Sequence, residues 1–276
     1  MRRQQEVTRS GEHLILISCI AVSAFAASSL AAFSVRQQSS LVFHDLAAMK
    51  RYPFGGMQAV GAMGQTASMF MADVAAGGKT TPHHHHQEQF MFGLEGAMKF
   101  VLAGNSPQTL SRLTGSFAPP NVRHGNINDG GPARYIEFQA VLRPDWYPPH
   151  PRRPREGTPE PLPIPPGLKV TEDFSPASTG WRTERGARAK SLSGNTAAVT
   201  VWELPAASGP IDVTSGRNAE RFVYVVDGDI AVADGASVRN VSRDMLIIVA
   251  PSARNVRVSA PRRSAATIAV FEAFRP

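Results

Sequence analysis

Between Arg143 and Gly167 the chain reads RPDWYPPHPRRPREGTPEPLPIPPG, which holds ten of its 22 prolines. Proline fixes φ and has no N–H, so this stretch can form neither a helix interior nor a central strand and is expected to be a stiff, extended connector. It divides the 276 residues into two candidate domains, 38–143 and 167–276, joined by a linker over 144–166. With 42% hydrophobic residues, each domain can bury a core. Both flanks read as short strands broken by turns. FMFGLEGAMKFVLAG alternates around Glu95-Gly96 and RFVYVVDGDIAVADG around Asp227-Gly228, which predicts two β-hairpins. Setting Gly96 on Gly228 gives an offset of 132 that aligns Phe90 with Phe222, Phe92 with Tyr224 and Leu94 with Val226. The repeat points to an all-β chain built from two similar small barrels or sandwiches.

Residues 1–35 read as targeting sequence. Arg2, Arg3 and Arg9 precede an apolar run from Leu14 to Phe33, and Ala24-Phe25-Ala26 offers small residues for cleavage. Export to the periplasm or beyond is the leading expectation; the alternative is an uncleaved anchor, since about 20 apolar residues just span a bilayer. The only cysteine, Cys19, lies in this run, so a processed chain would have no disulfide. A net charge of +7 comes from basic residues that form no basic helix and no stripe interleaved with aromatics, which argues against nucleic acid as a partner. The expected partner is a small molecule, and the sequence is also compatible with a homodimer.

The chemistry concentrates in residues 77–96, GGKTTPHHHHQEQFMFGLEG. Alternate residues of a strand share a face, so His83, His85 and Gln89 form one set and His84, His86 and Glu88 the other. Parity alone does not choose between them.

The stretch resembles the first motif of the cupin family, G-x5-H-x-H-x3/4-E-x6-G, at Gly77, His83, His85, Gln89 and Gly96, with glutamine in place of glutamate. A second cupin motif is matched at Pro119, His124 and Asn128, with Asn121 where the family has glycine. The opening glycine of that motif would fall at Leu113, so the turn there is expected to be rebuilt. The resemblance implies two tandem double-stranded β-helix (jelly-roll) barrels. It also implies one divalent ion (Fe, Mn, Ni, Zn or Cu) on His83, His85, Gln89 and His124 of the first. At the corresponding places the second barrel has Ser215, Arg217 and Arg221, with Asn255 or Val256 opposite His124, so it is expected to be structural. Glu220, aligned with Glu88, is expected to be a solvated strand residue.

Replacing the family glutamate by Gln89 removes both a neutralising charge and a base from the ion. Such a site implies Lewis-acid isomerisation, cyclisation or hydrolysis of a small oxygenated molecule. The alternatives are a quercetinase-like dioxygenase and a non-catalytic binding protein. Glu137 is the candidate general base; Tyr135 shares its strand face, and Met91 shares that of the ligands.

Overall fold

A computed structural model describes residues 40–54, 56–85, 87–140, 164, 166–214 and 220–273. The targeting segment with Cys19, His86, Ser215, Arg217 and nearly all of the 144–166 connector lie outside the described residues. Within them every regular element is a strand. In chain order the first ten are β1 (Leu41–Asp45), β2 (Tyr52–Phe54), β3 (Met57–Met63), β4 (Ala67–Val74), β5 (Gln89–Glu95), β6 (Ala97–Leu102), β7 (Gln108–Ser111), β8 (Thr114–Ala118), β9 (His124–Ile127) and β10 (Ala133–Ala140). Beyond the connector come β11 (Thr171–Asp173), β12 (Arg182–Glu184), β13 (Ala187–Ser193), β14 (Ala197–Leu204), β15 (Ile211–Asp212) and β16 (Arg221–Asp227). The chain closes with β17 (Asp229–Asp234), β18 (Ser237–Ser242), β19 (Met245–Val249), β20 (Val256–Ser259) and β21 (Ala266–Ala273).

These strands make two barrels of the same design. The first faces a sheet in the order β11-β8-β5-β10-β4-β3-β2 against a small sheet β7-β6-β9. The second faces β1-β19-β16-β21-β14-β13-β12 against β15-β20-β17-β18. The 132-residue offset therefore extends strand for strand, from β5/β16 through β10/β21. Two sequence expectations change. The chain does turn at Gly96 and Gly228, both with positive φ, but the flanking strands do not pair with each other. β5 pairs with β8 and β10 while β6 pairs with β7 and β9, so Gly96 is a corner between two sheets and not a hairpin. A side chain there would meet the Pro132 carbonyl at 2.2 Å, which is why the corner holds glycine. The turn before β8 is also kept. Leu113 itself adopts φ 60°, the left-handed conformation for which glycine is usual, and Asn121 does the same at φ 61°.

The two barrels exchange their first strands. β1, expected within the first domain, pairs with β19 of the second, and β11 pairs with β8 of the first. One continuous hydrophobic core spans both, with Phe138 of β10 packed at 5.5 Å and 5.1 Å on Phe222 and Phe271. Strand β5 is buried on both faces because one looks into its own barrel and the other looks onto this shared core.

Two carboxylates fasten the junction from opposite sides. Glu88 is fully buried and accepts hydrogen bonds from the backbone N–H groups of Asn195, Thr196 and Ala197, at 2.7, 2.8 and 2.9 Å, in the turn between β13 and β14. Glu220 accepts from the N–H of Thr66 at 2.7 Å and from its hydroxyl, in the matching turn between β3 and β4. Glu220 is 4% exposed, so the expectation of a solvated residue is corrected: the duplicated glutamates are reciprocal clasps. Burial pushes the Glu220 carboxyl upward, opposed by its hydrogen bonds to Thr66.

Candidate metal centre

The backbones of His83 and His124 pair directly, each N–H donating to the other's carbonyl, at 2.9 and 2.8 Å. This bridge ties the histidine row to the start of β9. His83, His85 and His124 come together with one ligand atom of each within 4.8 Å of the others. Two imidazole nitrogens about 2.1 Å from one ion can stand up to about 4.2 Å apart, so the cluster is close to that span. His83 is exposed, His85 half-buried and His124 buried, which grades the site from the barrel mouth inward.

All three rings are turned the same way. Each Nδ1 meets a backbone carbonyl two residues away: Thr81 for His83 (2.9 Å), Gln87 for His85 (2.8 Å) and Val122 for His124 (2.8 Å). A proton on Nδ1 satisfies these contacts and leaves the Nε2 lone pair free, the arrangement that fixes imidazoles as ligands. Gln89 Oε1 then lies 2.6 Å from Nε2 of His85 and 3.2 Å from Nε2 of His124. Three lone pairs thus face one another at hydrogen-bond range, which is repulsive unless a cation stands among them. A proton is a poor candidate. Burial drives the His124 imidazole down to about 3, helped by the neighbouring imidazoles, and burial also lowers that of His85. The donor set fits a divalent metal ion bound by three imidazoles and an amide oxygen.

The other strand face does not compete. Glu88, which shares parity with His84 and His86, points into the second barrel's turn and is held there by three amides. Asn128, the last motif residue, is structural: its amide donates to the carbonyls of Val74, Ala75 and Gly131.

One strand step further into the barrel lies a second ring. Met91 pairs with Ser116 on one side and Glu137 on the other, and Asn126 follows His124 by two residues, so all four share the lumen face of Gln89 and His124. Gln139 links the rings, its amide donating to Glu137 Oε1 at 2.6 Å and to Gln89 Oε1 at 3.3 Å. Glu137 keeps some accessible surface, which for an inward-facing side chain is surface on the lumen, and burial pushes its carboxyl up to about 7 against the Gln139 hydrogen bond. Tyr135 stands one step beyond with its hydroxyl on Met57 Sδ at 3.1 Å, and burial raises its phenol well above the ordinary value. The sequence singles out Glu137, Tyr135 and Met91, but Ser116, Asn126 and Gln139 emerge only from the fold.

Residues 70–138 match the family model of the cupin domain. The fold is also that of several solved structures. A protein named as glyoxylate-induced from Pseudomonas aeruginosa superposes with a TM-score of 0.66 at 10% identity, covering 89% of this chain and 93% of that one. Oxalate decarboxylase from Bacillus subtilis gives 0.64 at 9% identity, covering 87% and 79%, and protein Ylba from E. coli gives 0.64 at 9%, covering 90% and 97%. Comparison with curated proteins yields no match. Residues 70–138 are thus a match to the cupin domain, and the described strands have the all-β fold of tandem cupin barrels.

Proposed function

We propose that this chain is a metal-dependent bicupin enzyme that acts on a small oxygenated molecule by non-redox isomerisation, cyclisation or hydrolysis in its first barrel. The observation that carries this reading is the convergence of the Nε2 atoms of His85 and His124 on Gln89 Oε1, with His83 clustered beside them and no carboxylate among the four. A divalent ion held by this neutral set keeps its full charge and supplies a Lewis acid that polarises a substrate oxygen.

The chain's own groups do the rest. Glu137 stands one strand step below the ligands, about 7 Å along the strand, and takes a proton from the polarised substrate and returns it elsewhere on the same molecule. A carboxyl raised to about 7 is near half-ionised at neutral pH, where a group serves best as both acid and base. Gln139 orients this base and the amide ligand together. The leader-like residues 1–35 support placing the reaction outside the inner membrane.

Metal analysis of the untagged protein beside single variants tests the reading. His83→Ala, His85→Ala, Gln89→Ala and His124→Ala should each lose bound metal, whereas His84→Ala should retain it. Loss confined to His84→Ala would place the site on the other strand face, and oxygen consumption with a turned-over substrate would replace the non-redox chemistry.

A further inference from the structure

The polar second ring is unusual for the interior of a small barrel, and the duplication supplies its control. Strand pairing sets Ser116 of the first barrel against Ile247 of the second, Asn126 against Val258, Tyr135 against Ile268 and Glu137 against Val270. The second barrel packs these positions as an aliphatic core. The fold therefore needs no polar group at any of them. The first barrel nevertheless keeps four, and two carry atoms without a partner: Ser116 Oγ, in a residue with no exposed surface, and Asn126 Oδ1, in a residue 5% exposed whose side chain is otherwise hydrogen-bonded to Tyr135. A buried polar atom left unpaired costs about 1–3 kcal/mol, so its retention where an aliphatic residue is known to pack points to a bound group.

The character of that group is set by the atoms that face it. Asn126 Oδ1 only accepts, and the Ser116 hydroxyl both donates and accepts, so a hydroxyl satisfies the two together. The strands of the first barrel carry just two basic residues, Lys99 and Arg134. Lys99 pairs with Asp129 and Arg134 with Asp73, both outside the lumen. A carboxylate at the second ring would meet Glu137 with no cation beside it.

We infer that Ser116 and Asn126 form a hydroxyl-binding subsite about one strand step, roughly 7 Å, below the metal ligands, and that the substrate is a short uncharged hydroxy-carbonyl compound rather than a dicarboxylate. This rests on the metal-centre reading for the substrate's other oxygen. The test uses the full chain loaded with Mn(II) and two three-carbon probes, dihydroxyacetone and malonate, with binding followed by calorimetry and by water-proton relaxation of the Mn(II). Ser116→Ala and Asn126→Leu should each weaken dihydroxyacetone about tenfold and leave malonate, which needs only the ion, within about twofold. Ser116→Ala should also keep or raise the melting temperature, because it removes an unpaired hydroxyl and no hydrogen bond. Failure of dihydroxyacetone to bind, or equal affinity in wild type and both variants, overturns the subsite. Mn(II) content is measured on every sample. A wild type that takes up none of Mn(II), Fe(II), Ni(II), Zn(II) and Cu(II) overturns the metal reading instead, and the dihydroxyacetone comparison on the metal-free chain then decides the subsite alone.

Discussion

Glu137 is a carboxyl whose environment favours its neutral form, and the sign of the resulting pH dependence is fixed. Its ordinary value of 4.5 becomes about 7 in the folded chain, so folding is helped by protonation. That contribution is complete below about 4.5 and is lost as pH rises through about 7. Glu137→Gln should therefore melt at a higher temperature than the wild type above pH 7 and show a smaller fall between pH 5 and pH 8, as thermal denaturation across that range would show. Comparing the two chains cancels His85 and His124, which titrate lower. The clustering of His83, His85 and Gln89 was legible in the sequence because glycines at fixed distances bracket them, and Gly77 and Gly96 both take positive φ. Ser116, Asn126 and Gln139 were not legible. They are ordinary strand residues by type, and only the pairing of β5 with β8 and β10 brings them to one lumen. A signal did exist in the internal repeat, where each of the first two is polar in one copy and aliphatic in the other.

At the level of elements, the reciprocal clasps separate stability from site geometry. Glu88 and Glu220 make equivalent attachments, but Glu88 immediately precedes Gln89 in β5, whereas Glu220 precedes Arg221, which pairs with Glu272 at 3.0 Å. Glutamine offers one acceptor oxygen where the carboxylate had two, so either substitution strands a buried N–H and should cost about 1–3 kcal/mol. Glu88→Gln should in addition weaken metal binding, because the residue that anchors the start of β5 next to Gln89, the proposed amide ligand, is released. Equilibrium unfolding should thus show similar losses for the two variants, while metal titration should distinguish them. Equal metal affinity in both would mean that Gln89 is held by its own barrel alone. The alternation in β5 and β16 made the strands readable, but not the path of the chain beyond Gly96 and Gly228. A glycine turn between two apolar strands reads as a hairpin, and only closure of a barrel turns it into a corner.

For the whole molecule, the proline-rich connector marks a boundary in the chain that the sheets do not respect. β1 and β11 lie across that boundary from the strands they pair with, and one hydrophobic core continues through both barrels. Exposed ion pairs repeat the same cross-connection: Arg112 meets Asp227 and Arg243 meets Glu95, although at such exposure they add little to stability. A sequence read in order assigns each strand to its nearest neighbours, so an exchange of edge strands leaves no trace in local pattern. The exchange has a direct consequence. Residues 1–143 expressed alone would leave β8 without β11 and the Phe138 side of its sheet bare, and residues 144–276 would leave β19 without β1. Neither half should unfold cooperatively or hold metal by itself. Cutting a protease site inserted within 144–160 of the intact protein should, in contrast, leave both halves eluting together on gel filtration with metal content and melting temperature little changed. In that folded protein the connector is only one of several attachments between the barrels, and the exchanged strands, the glutamate clasps and the shared core remain after it is cut.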